Sequence, residues 1–406
     1  MKKLLSFTLV VILLFSLAGC TTTTSETTTS ETTTAPAETT ASEAATTSNE
    51  SETVQSSEQA DNGLKIAIVT SPSGVDDGSF NEDNYNGILD FIAENNQAEV
   101  SAVNEPTGDP AAAVDTVAAI VADYDVIVAC GFQFSGIGAI ALDNPDTKFI
   151  LVDTFPVDAD GNQLELDNVY AMQFAEQESG FFAGMAAALQ SQTKKVAVVN
   201  GIAFPSNVNY QWGFESGVNY ANKKYDTGVT IVELPSYAGT DVTGADVGGN
   251  YVGNFSDEAT GKVVANALLD EGCDIIFVAA GASGNGVFTA VKEAGNSFVI
   301  GCDVDQFDDG VNGDANIILT SALKIMRMNV TKQLNNILDG SFAGQNEILT
   351  AASDSTGYVD LNGRQQLSAD TLEKLSAAYA LLKEGKIVPA ANFNDITPED
   401  FPGLND

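Results

Sequence analysis

The sequence contains no histidine, and this absence removes several classes of enzyme from consideration. Ser-His-Asp and Cys-His catalysis require an imidazole as the general base, and the usual zinc sites require it as a ligand. Basic residues are also scarce, since 17 Lys and Arg stand against 56 Asp and Glu and give a net charge of −39. A chain this acidic is repelled by polyanions, so nucleic acid polymers are disfavoured as partners.

Cysteine is rare as well, with only four in the chain. Apart from Cys20, they are Cys130, Cys273 and Cys302, and their spacing fits no metal-binding motif. We therefore predict buried free thiols rather than a disulfide framework, although a bond between two of the three stays open. No metal and no cofactor is indicated by the sequence.

The first 62 residues carry the features of an export and anchoring segment. Lys2 and Lys3 precede an apolar stretch that is too short to span a membrane comfortably and that ends in "LAGC". This ending resembles the bacterial lipoprotein signal, so residues 1–19 are predicted to be a signal peptide and Cys20 the lipidated first residue of the mature chain. The alternative is a plain signal peptide with a coincidental cysteine.

Residues 20–62 are predicted to be a disordered tether. They consist mostly of Thr, Ser, Glu and Ala, and apolar side chains are too few to repay the entropy of ordering. A tether of this composition after a lipid anchor suits the outer face of the cell membrane, and a cell-wall layer favours a Gram-positive bacterium. The predicted location is therefore extracytoplasmic and lipid-anchored.

The remainder of the chain alternates short apolar runs with Ala-rich segments of helical periodicity. Continuous apolar runs such as "KIAIVT" and "KVAVVN" predict parallel strands covered on both faces. The pattern runs twice, which predicts an α/β fold of two doubly wound, Rossmann-like lobes joined by hinge crossovers, in the shape of a type I periplasmic binding protein. We predict that lobe 1 contains 63–174 plus about 303–328 and that lobe 2 contains 175–302 plus about 329–406.

Ligands of such folds bind beyond the carboxyl ends of the strands, so the loops there are the candidate sites. The first loop, "GVDDGSFNEDNYNG" at 74–87, concentrates carboxylates and amides near Tyr85. On chemistry alone this cluster fits a metal site, an acid/base pair, a helix cap or a ligand clamp. Five later segments at strand ends also contain polar or aromatic residues: "GFQFSG", "YVGNFSDEATGK", "AAGASGNGVF", "GCDVDQF" and "LTSALK".

Taken together, these blocks resemble the basic membrane protein family of substrate-binding lipoproteins, whose characterised members bind purine nucleosides. The resemblance covers nearly all of 64–362 and implies that a base stacks between Tyr85 and Phe255. It further implies that Asp76 contacts the base edge and that Asp303 and Lys324 hold the ribose. The other implied ligand contacts are Phe132, Gln133 and the backbone near Gly281.

The function that the resemblance implies is capture of a nucleoside and its delivery to the permease and ATPase subunits of an ABC importer, by a monomeric receptor that is not an enzyme. Three alternatives stay open. A receptor of the same shape could bind a sugar or another small polar solute, or it could sense a ligand without transport. A nucleoside hydrolase that uses Asp76, Asp77, Asp303 and Asp305 as a metal or acid/base cluster is the third.

Overall fold

The computed structural model describes residues 63–405, all of which belong to one compact unit. The predicted signal peptide, Cys20 and the tether lie outside these residues. The strands are β1 (Lys65–Thr70), β2 (Glu99–Asn104), β3 (Val126–Cys130), β4 (Lys148–Val152), β5 (Val169–Phe174), β6 (Lys195–Asn200), β7 (Thr230–Ile231), β8 (Gly239–Thr240), β9 (Asp246–Gly248), β10 (Ile275–Ala279), β11 (Phe298–Asp303), β12 (Val311–Asn312), β13 (Ala315–Asn316), β14 (Ile318–Lys324), β15 (Gln345–Leu349) and β16 (Thr356–Tyr358). The α-helices are α1 (Phe80–Glu94), α2 (Pro110–Ile120), α3 (Gly138–Asp143), α4 (Glu176–Gln190), α5 (Pro205–Tyr225), α6 (Glu258–Asp270), α7 (Ser283–Ala294), α8 (Met326–Leu338) and α9 (Ala369–Lys383).

Two six-stranded sheets form the cores of two lobes. In lobe 1 the strand order is β15-β5-β4-β3-β1-β2, and all of its pairs are parallel. In lobe 2 the order is β16-β14-β11-β10-β6-β7, with β16 antiparallel at one edge. The central strands are buried along almost their whole length, because helices cover both faces of each sheet. The predicted α/β fold with two doubly wound lobes is confirmed.

The chain passes between the lobes three times, at Ala175, at Ile325 and near Thr350. Lobe 1 therefore contains 63–174 and 326–349, and lobe 2 contains 176–324 and 351–405. The predicted placement of 303–328 in lobe 1 was wrong, since β14 pairs with β11 of lobe 2 over its length. The placement of the whole of 329–406 in lobe 2 was also wrong. Helix α8 packs on α1 of lobe 1, and β15 pairs with β5.

One further sequence prediction concerns the thiols. Cys130, Cys273 and Cys302 are all buried and free, which confirms the prediction of free thiols. Within residues 63–405 no helix is both long and apolar enough to cross a membrane.

Helices α4 and α5 of lobe 2 approach each other closely enough for backbone contact. A Cβ atom on Gly184 would lie 2.0 Å from the carbonyl oxygen of Phe214, and one on Gly217 would lie 2.0 Å from that of Phe181. Each helix thus presents a glycine to the backbone of the other. The contact fixes α4, which begins directly after the first crossover, against α5, whose first turn lines the cleft described below.

We expect the Gly217→Ala substitution to lower the free energy of unfolding by about 3 kcal/mol, because the added methyl group forces the two backbones apart. Urea denaturation followed by circular dichroism measures this change. Lys223→Ala, at an exposed position of the same helix, is the control and should stay within about 0.5 kcal/mol of the parent chain. Equal stability of the two variants would contradict the backbone contact.

Candidate functional site

A cleft with a cavity volume of about 180 Å³ lies between the lobes, at the carboxyl ends of the central strands. Its walls come from the carboxyl ends of strands and the segments after them: β1, β2, β3 and β4 in lobe 1, and β6, β9, β10, β11 and β14 in lobe 2. The lobes also touch across it: the Ser73 hydroxyl lies 3.4 Å from the carbonyl oxygen of Phe255, and the Gln306 amide lies 3.4 Å from that of Gly78.

Most residues that the sequence singled out do lie on the cleft wall. The predicted residues that line it are Phe132, Gln133, Phe255, Gly281, Asp303 and Lys324. They come from both lobes, so a molecule in the cleft contacts both. Gln133 is almost fully buried, and its amide nitrogen donates to the carbonyl oxygen of Cys130 at 3.2 Å.

The other two predicted residues, Asp76 and Tyr85, do not line the cleft. A nearby residue of similar chemical type does so in each case. Asp76 is exposed to solvent, whereas Asp77 is buried and lines the cleft. Tyr85 packs against the core of lobe 1, while Phe80, the first residue of α1, faces the cleft. Five residues correspond to about 140° of rotation around a helix, so positions 80 and 85 face different directions.

Asp77 is turned inward because it caps the start of α1. Its carboxylate accepts hydrogen bonds from the backbone nitrogens of Ser79, Asn81 and Glu82 at 3.0–3.1 Å, and from the Asn81 side chain at 2.9 Å. Burial raises the pKa of Asp77, although these hydrogen bonds oppose the rise. The carboxylate therefore holds the first loop against the helix and sets the position of Phe80.

One end of the cleft is an aromatic wall. The ring centroids of Phe132 and Phe204 lie 5.4 Å apart, and those of Phe204 and Phe255 lie 6.0 Å apart, in both cases with planes tilted by 41°. The Phe255 ring rests on Gly201, where a Cβ atom would lie 2.2 Å from the ring. Phe204 was not predicted. It stands in the loop between the end of β6 and Pro205, the first residue of α5, and an aromatic residue in such a loop could have been proposed as a cleft residue from the sequence.

The other end of the cleft is charged and centres on Lys324. Its ammonium group is 2% exposed, pairs with Asp153 of lobe 1 and lies 3.1 Å from Glu176. It also lies 5.0 Å from the Phe80 ring centroid and 5.3 Å from that of Phe174. Burial lowers the pKa of Lys324, but the surrounding carboxylates outweigh it, so the net direction is upward and the group is charged.

Asp153 and Asp303 occupy matching places in the two lobes. Asp153 directly follows β4 and Asp303 ends β11, and both have left-handed backbone conformations, with φ of 67° and 68°. Such conformations cost energy for a residue with a side chain and are concentrated at functional sites. Asp303 accepts a hydrogen bond from the Tyr210 hydroxyl at 2.8 Å. Neither Asp153 nor Glu176 was among the predicted site residues.

Asp83 lies behind this charged end, on α1. Burial raises the pKa of Asp83 to about 6; the backbone nitrogen of Arg327 opposes the rise and Asp303 adds to it. The folded protein therefore holds this proton up to about pH 6, whereas an unfolded aspartate with the ordinary value of 3.8 releases it earlier. The stabilisation is complete below the unfolded pKa and is lost as the pH rises through the folded value.

We expect Asp83→Asn to remove this pH dependence while keeping an oxygen that accepts from Arg327. Between pH 4 and pH 7, the free energy of unfolding of the variant should gain about 2 kcal/mol relative to the parent chain. Urea denaturation at several pH values measures the gain. Glu94→Gln removes the same charge from an exposed position of the same helix, and its free energy of unfolding should change with pH as that of the parent chain does. If the free energy of unfolding of Asp83→Asn also follows the parent chain across this pH range, the raised pKa of Asp83 is contradicted.

The arrangement suits a small molecule that has a flat apolar part and a polar part rich in hydroxyl groups. The phenylalanines offer ring faces at one end, and the carboxylates with Lys324 offer acceptors and a donor at the other. Across residues 63–405, no group of three or more His, Cys, Asp or Glu side chains could hold a metal ion. The carboxylates of Asp77, Asp153 and Asp303 instead face hydrogen-bond donors or the Lys324 ammonium.

Two doubly wound lobes joined by three crossovers, with a cleft between them, have the architecture of a type I periplasmic binding protein. The match to a family model is consistent with this class and extends over 64–236 and 243–388. The chain belongs to the family described as ABC transporter substrate-binding protein, PnrA-like. The resemblance to the basic membrane protein family is thereby confirmed.

Individual relatives agree with this family. The chain is 28% identical over 347 residues to the "ABC transporter nucleoside-binding protein BmpA" of Lactococcus lactis, which covers 82% of this chain and 90% of the relative. It is 32% identical over 265 residues to "Basic membrane protein A1" of Borrelia garinii, which covers 64% and 68%. Among solved structures, a solute-binding protein of an ABC transporter system from Aeropyrum pernix superposes with a TM-score of 0.68 at 22% identity, covering 82% of this chain and 94% of that one. This last similarity supports the fold alone.

Proposed function

We propose that this protein captures a nucleoside, with a purine base, in the cleft between its lobes and delivers it to an ABC importer. The observation that carries the proposal is the division of one cleft into an aromatic end and a carboxylate–ammonium end. A base can stack on the Phe204 and Phe255 faces. The vicinal hydroxyls of a ribose can donate to Asp303 and accept from Lys324. The name of the Lactococcus relative supports the same ligand class.

The proposal includes a location and a mode of delivery. Cys20 would carry a lipid that holds the protein on the outer face of the cell membrane, and residues 21–62 would be the tether. The protein would act as a monomer that closes its lobes on the ligand and presents the closed form to the permease. Deletion of the protein should then reduce nucleoside uptake by the cell, whereas a receptor that only senses its ligand would leave uptake unchanged.

The charges of the cleft predict that a nucleoside is preferred to a nucleotide. Asp77, Asp153 and Asp303 line the cleft, and Lys324 is the one cationic residue among the lining residues. Two carboxylates, those of Asp153 and Glu176, already pair with Lys324. A phosphate would meet repulsion without a free cation among the lining residues. We expect adenosine to bind at least about 100-fold more tightly than adenosine 5′-monophosphate, as measured by isothermal titration calorimetry. Equal affinities would contradict the proposal.

A further inference from the structure

A second cavity of about 300 Å³ adjoins the nucleoside cleft. The two cavities share two wall residues, Asp153 and Ser206, so they lie side by side. Its outer wall is built by the loop that joins β8 to β9 and by a segment near the end of the chain. Val242 from the loop and Phe393 from the terminal segment stand at this wall, with 52% and 48% of their surface exposed.

This outer wall is a local elaboration of the chain. The family model matches 64–236 and 243–388, so Asp241, Val242, Asn392 and Phe393 all lie outside the matched ranges. Within the loop, the Asp241 carboxylate accepts hydrogen bonds from the backbone nitrogens of Thr243 and Ala245 at 2.8 and 2.9 Å. The turn is therefore held in shape by its own contacts while it borders the cavity.

The inner end of the second cavity contains two carboxylates that share one ammonium group. Asp153 is 8% exposed, and both of its oxygens lie against the Lys324 ammonium, which donates a hydrogen bond to Oδ2. Glu176 contacts Lys324 through one oxygen and accepts a hydrogen bond from the Asn209 amide at 3.0 Å through the other. Two acidic groups beside one ammonium make this end of the cavity more favourable for a neutral or cationic group than for an anionic one.

The geometry points to a subsite for the 5′ substituent of a nucleoside, which takes a neutral or cationic group and rejects an anionic one. The inference rests on the proposed function. When the base lies on the aromatic wall and the vicinal hydroxyls meet Asp303 and Lys324, the remaining branch of the ribose is C5′. A group on C5′ then extends past Asp153 and Ser206 into the second cavity.

The character of the walls sets the chemistry of that group. Phe174, Val208 and Phe393 contribute apolar surface, which suits an alkyl or alkylthio stem. The acidic side chains Asp153, Glu176 and Asp241 contribute negative charge. They favour an ammonium group and disfavour a carboxylate or a phosphate at the end of such a stem.

Calorimetry with the full chain and four ligands tests the subsite. The ligands are adenosine, 5′-amino-5′-deoxyadenosine, adenosine-5′-carboxylic acid and a 5′-alkylthio-5′-deoxyadenosine. We expect the amino compound to bind at least about 30-fold more tightly than the carboxylic acid, and the alkylthio compound to bind within about tenfold of adenosine.

Two matched variants locate the effect. Val242→Lys places a cation at the wall of the second cavity and should narrow the ratio between the amino compound and the carboxylic acid by about fivefold. Val263→Lys adds the same charge at an exposed position of α6 in the same lobe and should leave that ratio unchanged. Affinity for adenosine should stay the same in both variants, since neither residue lines the nucleoside cleft.

The outcomes separate this inference from the function on which it rests. If adenosine binds while the alkylthio compound does not, or if both lysine variants leave the ratio unchanged, the second cavity is not a subsite and nucleoside capture stands. If none of the four ligands binds, both the subsite and the proposed function are overturned.

Discussion

Replacement of Lys324 with methionine is expected to lower the free energy of unfolding by about 3–5 kcal/mol and to weaken nucleoside binding by at least about 100-fold. The ammonium group is 2% exposed and faces buried carboxylates on Asp153 and Glu176. Its removal leaves these buried carboxylates without their partner. Removal of one member of a buried pair costs more than the pair itself contributes, because the remaining charge has no compensation.

A variant that neutralises the partners separates stability from binding. In Lys324→Met combined with Asp153→Asn and Glu176→Gln, no unpaired charge is left at these three positions, so most of the stability should return. Binding should not return, since the donor to the ribose is still missing. Lys262→Met is the control: this lysine pairs with Glu293 at 2.7 Å on the surface and should cost less than about 1 kcal/mol. Urea denaturation and calorimetry measure the two properties, and recovered affinity in the triple variant would contradict the role of Lys324.

The strands could be predicted from the sequence more fully than the lobe in which each one lies. Runs such as "NIILTS" indicate a buried strand because three large aliphatic side chains stand together at the centre of the run. Such a run does not indicate the strand with which it pairs. On the sequence pattern alone, β14 and β15 could each belong to either sheet. Their pairing with β11 and β5 depends on where the chain crosses at Ile325, and that crossing leaves no compositional trace.

Within the site, the later loops were easier to predict than the first one. Phe255, Asp303 and Lys324 each stand at the end of a strand or in the loop just before a helix, where direction is fixed by the sheet. In the first loop, by contrast, the choice between Asp76 and Asp77 is decided by four hydrogen-bond donors that assemble only when α1 begins. The choice between Phe80 and Tyr85 depends in the same way on the residue at which the helix starts.

The position of Asp153 in the cleft could have been predicted from the sequence by comparing the two lobes. It follows the apolar run "KFILV" as Asp303 ends "FVIGCD", and the two residues adopt the same left-handed conformation in opposite lobes. An aspartate at the carboxyl end of a strand in one lobe therefore predicts a cleft residue at the matching strand end of the other lobe. The role of Glu176 was not accessible in this way, because its partner Lys324 lies far along the chain and on another element.

Replacement of Phe255 with alanine is expected to weaken nucleoside binding by about 10- to 100-fold, because stacking on one aromatic face is worth about 1–3 kcal/mol per base. Phe255 is suited to this role by its support. Its ring packs on Gly201 and lies 6.0 Å from the Phe204 ring, so a base can stack on it without first ordering a mobile side chain. Calorimetry with adenosine measures the loss.

Phe298→Ala provides the matched control for this substitution. Phe298 is a partly exposed phenylalanine of the same lobe, but it begins β11 at the end of the sheet opposite to the cleft. Its replacement should leave the affinity for adenosine unchanged.

The comparison also separates the two candidate ligand classes. A free sugar meets the charged end of the cleft and gains little from the aromatic wall, so affinity for the natural ligand would survive Phe255→Ala. A nucleoside loses the contact that holds its base, and only that ligand predicts a difference between the two phenylalanine variants.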